Sequence, residues 1–176
     1  MILDQPLIII LEPSNVGKTT LLYRIYSGIY YSKANIPQRN LEELKVDTTR
    51  LRALNIIENQ LTPNIYQILM ENCSDIILHV DVSLEKTLSE GYDFFNNILI
   101  NTPGYLDYPV LIFGNKIDKR RISEFEIINL FSIMDRIENL WFVKNISCKS
   151  SVGIREGMSW LMDKTGLNFY IPSFRE

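Results

Sequence analysis

Four apolar runs constrain the fold of this chain more than any other feature of its sequence. They are "LIIIL" (7–11), "DIILHV" (75–80), "YPVLIF" (108–113) and "LWFVKNI" (140–146). Strands of a parallel sheet read this way because helices cover both of its faces. Helical patterns separate the runs, and 44–58 alternates as a strand, a tight turn and a second strand would. We therefore predict an α/β fold, a mostly parallel six-stranded sheet with helices on both faces.

Chain length and the absence of linkers favour one domain over residues 1–176. A chain of 176 residues is long enough to bury a single sizeable core. We find no internal repeat, low-complexity tract or interdomain linker in it. Residues 166–176 follow the last helical pattern and contain several apolar side chains. Such a tail is too apolar to stay free in water, so we expect it to dock on the body or on a partner.

Charge and terminal residues limit what the chain binds and where it resides. The net charge is −3 and Lys and Arg form no long block, so we expect no general nucleic-acid binding. Two cysteines at no metal-binding spacing indicate a reduced, cytoplasmic environment. No apolar run approaches the roughly 20 residues that span a bilayer. Position 2 is Ile2 where N-myristoylation requires glycine, so we expect no lipid anchor intrinsic to the chain.

The stretch "LEPSNVGKTT" (11–20) is close to the phosphate-loop pattern G-x-x-x-x-G-K-[ST]. It follows a predicted strand and precedes a predicted helix, which is the context that the pattern requires. Backbone N–H groups in such a loop bind phosphates, and Lys18 would bridge the β and γ phosphates. The Thr19 hydroxyl would ligate Mg²⁺. The predicted phosphate-binding residues are Ser14, Asn15, Val16, Gly17, Lys18, Thr19 and Thr20, although G-K-[ST] also occurs by chance.

Glu12 stands where the pattern has its first glycine. Two charges about 4 Å apart interact by roughly 1 kcal/mol in water and about 4 kcal/mol near a protein surface. We hypothesise that Glu12 weakens triphosphate binding or occupies space over the phosphates. The side chain could also point away, with a base such as Arg50 or Lys116 neutralising it. We interpret the lone histidine, His79, as a packed residue of its strand.

A second motif, "GNKID" (114–118), follows the "YPVLIF" strand. Open α/β sheets bind ligands outside the carboxyl ends of their strands. Asp118 is placed to accept hydrogen bonds from N1–H and the exocyclic amine of a guanine, a donor pair that adenine lacks. Asn115 would tie loops together, and the stem of Lys116 would cover the base. Taken alone, N-K-x-D could equally be a surface turn.

Two further segments point to a known family. "ISCKS" (146–150) resembles the S-A-K loop of small GTPases, whose backbone N–H reads guanine O6, and it adds Ser147, Cys148 and Lys149 to the guanine-binding set. "GIREGMSWLMDK" (153–164) is similar to the final helix of Arf-like proteins. The chain thus resembles the Arf-like branch of the Ras superfamily. This resemblance implies a P-loop GTPase fold that binds GTP or GDP with Mg²⁺. It also implies effector or regulatory proteins bound through 28–64, to a monomer or in a heterocomplex.

The segments that would sense a γ-phosphate depart from the family pattern. Glu58 takes the position of the switch II aspartate and is a weak candidate for Mg²⁺. Thr62 stands at the catalytic glutamine position, and Gln60 lies nearby but out of register. Thr48 and Thr49 are the local candidates for the switch I threonine, but we interpret them as residues of the strand that follows the switch, where β-branched side chains are common. The sequence therefore leaves open whether the chain is an enzyme.

Two hypotheses from different functional classes remain. The first is a guanine-nucleotide-binding protein with weak or absent intrinsic hydrolysis, acting through partners. The resemblance implies a role in ciliary or membrane traffic, with ciliary or Golgi association. The second is a pseudo-GTPase scaffold with little or no nucleotide exchange. A P-loop kinase is disfavoured, because N-K-I-D has no function in one.

Overall fold

The chain is described here from a computed structural model over residues 7–13, 16–31, 43–46, 49–55, 73–99, 108–133, 140–168 and 170–175. The strands are β1 (Leu7–Glu12), β2 (Glu43–Val46), β3 (Thr49–Asn55), β4 (Asp75–Asp81), β5 (Val110–Asn115) and β6 (Trp141–Asn145). The helices are α1 (Lys18–Ser27), α2 (Glu85–Leu99), α3 (Glu124–Leu130) and α4 (Ile154–Thr165). No helix in this part of the chain has both the length and the apolar character needed to cross a membrane.

The six strands form one sheet in the order β2-β3-β1-β4-β5-β6. The pair β2–β3 is antiparallel and every other neighbouring pair is parallel. The prediction of a mostly parallel six-stranded α/β sheet is therefore confirmed. The alternating segment forms β2 and β3, joined closely enough for antiparallel pairing, as far as Asn55. Its last three residues, 56–58, lie outside the described residues.

Helices pack on both faces of the sheet, as the continuous apolar strands require. On one face, α2 and α3 place Phe95, Ile127 and Phe131 against β1, β4 and β5. On the other face, α1 and α4 bury apolar side chains such as Leu22 and Met158. Both faces of the central strands are thereby removed from water, which is why β1, β4 and β5 are buried along their whole lengths.

The tail segment 170–175 packs against the body. Ile171 is buried in the same apolar cluster as α1 and α4. The Arg175 N–H donates to the carbonyl of Gly28 at 2.8 Å, just after α1 ends. Arg155 of α4 donates to the carbonyl of Pro172 at 3.0 Å. These contacts hold the chain end beside the C-terminus of α1.

Strand register brings three polar residues to one edge of the sheet. Glu12, Asp81 and Asn115 are the last residues of β1, β4 and β5. Asp81 pairs with Asn115, and Leu11 pairs with Leu78 on the adjoining strand. In a parallel sheet the carboxyl ends meet at one edge, where the loops that follow the strands form a ligand site.

Candidate functional site

A cavity of about 590 Å³ opens at this carboxyl edge. The loop after β1, the loop after β5 and the loop after β6 all contribute to it. Its lining includes ten residues that the sequence predicted for binding, namely Val16, Gly17, Lys18, Thr19, Thr20, Asn115, Lys116, Asp118, Cys148 and Lys149. Glu12, Tyr30 and Lys119 also line it. The two predicted sets, one for phosphate and one for guanine, thus share one cavity.

The loop after β1 meets α1 at a glycine that no other residue could replace easily. Gly17 has φ of 122°, a region that side chains rarely adopt. A Cβ at this position would lie 3.2 Å from Asn115 Nδ2. Gly17 is also the N-cap of α1 and supplies no side-chain cap, so the first amides of the helix have no acceptor within the helix.

The Glu12 side chain points into this site and not away from it. Its Oε1 accepts a hydrogen bond from the backbone N–H of Lys18 at 3.3 Å. Its Oε2 lies 2.7 Å from Nδ1 of His79, and both side chains are almost fully buried. Of the two alternatives for Glu12, occupying space at the phosphate loop is the arrangement that the contacts favour.

The Glu12 carboxylate contacts His79, a partner that the sequence analysis did not assign to it. Of the two bases named for Glu12, Lys116 places its Nζ in an ion pair with Asp81. The side chain of Arg50 lies outside the description. His79 is a packed strand residue, being fully buried, but its ring also holds the carboxylate across neighbouring strands. Its position inside an otherwise apolar run was the one signal that the sequence offered.

Asn115 joins the phosphate loop to the guanine loop. Its Nδ2 donates to the carbonyl of Val16 at 3.2 Å, and its Oδ1 accepts from the N–H of Cys148 at 3.1 Å. The side chain is 2% exposed, so these bonds are sheltered from water. This is the joining function that the N-K-x-D motif predicts. A guanine O6 that bound the Cys148 N–H would take that donor from Asn115.

Asp81 fixes Lys116, the second motif residue. The Lys116 Nζ forms an ion pair with Asp81 Oδ2, and Asp81 Oδ1 accepts from the N–H of Ser83 at 2.8 Å. Burial raises the pKa of Asp81, but the hydrogen bonds from Lys116 and Ser83 outweigh it and hold this pKa below its ordinary value. A carboxylate that is charged at neutral pH therefore holds Lys116 at the cavity wall. Sequence analysis missed Asp81, although it directly follows an apolar run.

Asp118 is held by Ser147, a member of the predicted guanine-binding set. The Ser147 hydroxyl donates to Asp118 Oδ1 at 2.7 Å. Ser147 is buried behind Asp118 and does not line the main cavity, so its role in the structure is to position the carboxylate. Cys148 is buried beside them, and burial, with a further contribution from the charge of Glu12, raises the pKa of its thiol to about 12.

Arg24 is a buried residue of the site that sequence analysis missed. Its guanidinium is 1% exposed and donates to the carbonyl of Cys148 at 2.8 Å and of Gly28 at 2.9 Å. It also donates to the carbonyls of Lys149 and Arg175. Arg24 therefore links the guanine loop to the tail. An arginine within the apolar run "LLYRIY" was the available signal.

Several predicted residues are not placed by the structure. Ser14, Asn15, Glu58, Gln60, Thr62 and Thr48 lie outside the described residues, as does most of 28–64. Thr49 is the first residue of β3, whose last residue, Asn55, pairs with Glu12. Six residues of strand rise separate Thr49 from the site edge, roughly 20 Å. The suggestion that Thr49 binds Mg²⁺ is therefore wrong.

Thr19 is the described residue best suited to a magnesium ion. It lies in the first turn of α1 and lines the cavity, and its hydroxyl makes no hydrogen bond to any described residue. A hydroxyl oxygen is a ligand that Mg²⁺ accepts beside phosphate oxygens. When bound there, the ion would neutralise phosphate charge.

Comparison with known proteins identifies relatives along most of the chain. The model of the ADP-ribosylation factor family matches residues 4–165. ADP-ribosylation factor-like protein 3 of Chlamydomonas reinhardtii is 24% identical over 156 residues, which cover 88% of each chain. ADP-ribosylation factor-like protein 1 of Saccharomyces cerevisiae is 23% identical over 157 residues, 89% of this chain and 85% of the relative. Putative ADP-ribosylation factor-like protein 5C of Homo sapiens is 23% identical over 163 residues, 92% of this chain and 90% of the relative.

The family model covers both nucleotide motifs and the whole described sheet. Because the match extends over far more than half of its length, the chain belongs to the ADP-ribosylation factor family.

Proposed function

We propose that this protein binds guanine nucleotides, with weak or absent intrinsic GTP hydrolysis, and acts by recruiting partner proteins. The observation that carries the proposal is Asn115, whose one side chain bonds both the phosphate loop, at Val16, and the guanine loop, at Cys148. This joint holds both loops at one cavity, where a single ligand can touch both. A nucleotide, with a base at one end and phosphates at the other, has that shape.

The proposal assigns protein residues to the phosphates, to the magnesium ion and to the base. Lys18 and the amides of the loop bind the phosphates, and Thr19 binds Mg²⁺. Asp118 accepts from N1–H and the exocyclic amine of guanine, and the Ser147 hydroxyl donates to Asp118 Oδ1. Adenine presents no such donor pair, and a hydrogen bond to a charged group contributes about 1.5–3 kcal/mol. GTP and GDP are therefore the proposed ligands, in preference to ATP and ADP.

An Asp118→Asn variant tests the base assignment. An amide at this position can donate to the C2 carbonyl of xanthine but cannot accept from both guanine donors. We expect GDP binding to weaken by at least about tenfold and xanthosine diphosphate binding to strengthen. Fluorescence titration of both nucleotides measures this, with Asp93→Asn on the exposed face of α2 as the matched control. Unchanged GDP affinity in Asp118→Asn would remove the base assignment.

The proposal of weak hydrolysis rests on the sequence of the switch segments. The Arf-like glutamine position is Thr62, and the switch II glycine is replaced by Leu61. Without those groups a partner would have to position water and stabilise the transferring phosphate. Single-turnover hydrolysis of GTP by the isolated protein should therefore be slow. Rapid hydrolysis would contradict this part of the proposal.

The scaffold alternative draws support from Glu12, which already occupies an amide of the phosphate loop. The two alternatives differ in what the purified protein contains. A nucleotide binder should either release GDP or GTP on denaturation and chromatography or, if its affinity is too low for copurification, bind GDP or GTP with Mg²⁺ in a titration. A protein with no released nucleotide, and no response to GDP or GTP with Mg²⁺, is the scaffold.

The proposed partners are effector or regulatory proteins that contact residues 28–64, either as a heterocomplex or transiently with a monomer. Within the family we propose the nearest relationship to ADP-ribosylation factor-like protein 16, because the sequence shares Glu58 at switch II and the Asn72–Cys73 pair. That relationship supports a role in ciliary or membrane traffic from the cytoplasm, with ciliary or Golgi association. Fluorescence imaging of the tagged protein in ciliated cells would test it.

A further inference from the structure

The N-terminus of α1 already has an anion seated on it. Gly17 provides no side-chain cap, and the first turn of the helix contains no acidic residue. The N–H of Lys18 therefore has no acceptor within the helix, and the carboxylate of Glu12 accepts it at 3.3 Å. A carboxylate at a helix N-terminus is stabilised by the same dipole and amides that bind phosphate. Glu12 thus uses part of the phosphate-binding apparatus.

His79, on the neighbouring strand β4, holds this carboxylate in place. Its Nδ1 lies 2.7 Å from Glu12 Oε2, and the ring comes from β4, the strand beside β1. The ring Cε1 lies 3.8 Å from the point where a Cβ on Gly17 would stand, so the imidazole lies directly under the loop. The other ring nitrogen has no partner among the described residues. Among the described residues, Glu12 is therefore the hydrogen-bond partner of the ring.

We propose that the Glu12 carboxylate is the resident anion of the phosphate loop and that nucleotide phosphates bind only in competition with it. This inference rests on the proposed function. Glu12 would then determine how strongly each added phosphate contributes to affinity, and His79 would be the residue that positions it. Asp118, at the base end of the cavity, makes no hydrogen bond to Glu12, so recognition of guanine itself should depend little on this competition.

The competition predicts a specific pattern across ligands. Guanosine reaches only the base end, whereas GMP, GDP and GTP carry increasing negative charge toward the loop. In the natural protein, GDP and GTP should gain little affinity over guanosine. Glu12→Gln keeps the size and the hydrogen-bonding oxygen but removes the charge. Glu12→Gly removes the occupant entirely and restores the residue of the family pattern.

The experiment is a titration of the full chain with guanosine, GMP, GDP and GTP, followed by NMR amide shifts so that millimolar binding is measurable. We expect Glu12→Gln to strengthen GDP and GTP binding by about tenfold or more, and Glu12→Gly by more than that. Guanosine affinity should stay within about twofold of the natural protein. Glu156→Gln is the matched control, since it removes one exposed acidic charge from the first turn of α4.

A second pair of variants tests the positioning role of His79. His79→Asn keeps a donor near the place of Nδ1 and should retain the natural ratio of GDP to guanosine affinity. His79→Leu removes the donor, frees the carboxylate and should shift that ratio toward the value of Glu12→Gln. In the Glu12→Gln background, His79→Leu should leave the ratio unchanged. Because the readout is a ratio of two affinities, a general loss of stability does not mimic it.

Failure of the inference and failure of the proposed function give different results. If guanosine and GDP bind measurably but Glu12→Gln and Glu12→Gly leave the GDP affinity unchanged, Glu12 does not compete and the inference is overturned while the function stands. If neither the natural protein nor any variant binds guanosine or a guanine nucleotide, the proposed function fails and the inference fails with it.

Discussion

Asp75 is a buried acid at the opposite end of β4 from the cavity. It is fully shielded from solvent, Ser74 donates to its Oδ2 at 2.9 Å, and its Oδ1 has no partner among the described residues. Burial raises the pKa of Asp75 to about 7, against 3.8 for a solvated carboxyl, with the Ser74 hydrogen bond opposing the shift only in part. The folded protein therefore holds a proton here that the unfolded chain releases near pH 4.

Through this proton, Asp75 makes the free energy of unfolding depend on pH. Because the pKa is raised in the folded state, its contribution is fully present below about pH 4 and is lost as pH rises through about 7. Asp75→Asn cannot ionise, so it should gain stability relative to the natural protein by about 1–3 kcal/mol more at pH 8 than at pH 5. Urea unfolding at the two pH values measures the difference.

The control for this prediction is Asp93→Asn, which removes a carboxylate from the exposed face of α2. Its effect on the free energy of unfolding should be nearly equal at pH 5 and pH 8. An Asp75→Asn effect that is also equal at both values would show that the carboxyl titrates as it does in the unfolded chain.

At the scale of elements, one guanidinium holds together α1, the loop after β6 and the tail. Arg24 projects from the last turn of α1, and its planar fork bonds carbonyls on both sides, Cys148 in the loop and Gly28 beside the tail. Buried carbonyls that lose such a donor are left unsatisfied. The loop that presents Cys148 to the cavity therefore depends on the last turn of α1, at the opposite end of the helix from the proposed phosphate-binding residues.

Arg24→Lys should remove some of the hydrogen bonds that link these elements while keeping the positive charge. A single ammonium cannot reach carbonyls on both sides of the fork, so we expect a loss of about 1–3 kcal/mol in the free energy of unfolding. Because the guanine loop loses an anchor, GDP affinity should also fall by several-fold. Urea unfolding and GDP titration measure the two effects.

Arg155→Ala is the comparison that isolates the loop from the tail. Arg155 bonds the carbonyl of Pro172 and stacks against Phe174, but makes no hydrogen bond to the guanine loop among the described residues. This variant should loosen the tail and leave GDP affinity close to natural. Equal losses of GDP affinity in Arg155→Ala and Arg24→Lys would mean that the tail itself, and not Arg24, positions the loop.

The short helix α3 depends on its first residues. Ser123 Oγ accepts from the N–H of Glu126 at 3.1 Å, and Glu126 Oε2 accepts from the N–H of Ser123 at 2.7 Å. Seven residues are too few for a helix to be stable by itself. Ser123→Ala should therefore lower the free energy of unfolding by about 1 kcal/mol. Ser89→Ala, on the exposed face of α2, should have almost no effect in the same urea titration.

At the scale of the whole molecule, the sheet was predictable because burial on both faces leaves a direct mark on the sequence. The apolar run 75–80 corresponds to the observed strand Asp75–Asp81, and the run 140–146 corresponds to the strand Trp141–Asn145. The strands that approach the site extend one or two residues beyond their apolar runs, to Glu12 and Asn115. The polar residues of the site follow the apolar runs, so hydrophobic periodicity does not predict them.

The contacts that shape the site were not predictable, because their members are far apart in the chain. Glu12 and His79 are 67 residues apart, and Arg24 and Cys148 are 124 residues apart. Such pairs are decided by strand order and register, which no local pattern records. The motif residues Asn115 and Asp118 could be assigned because their spacing is itself local.

Three loops that meet at one cavity should respond to a ligand together. A ligand that binds only the folded chain stabilises it by about 2.7 kcal/mol when its concentration is 100 times its dissociation constant. For a domain of this size, each kcal/mol raises Tm by about 2–4 °C. GDP with Mg²⁺ should therefore raise the Tm by several degrees, as measured by calorimetry. ATP at the same concentration should not, because it leaves Asp118 without its two donors, and an equal shift by ATP would contradict guanine recognition at this cavity.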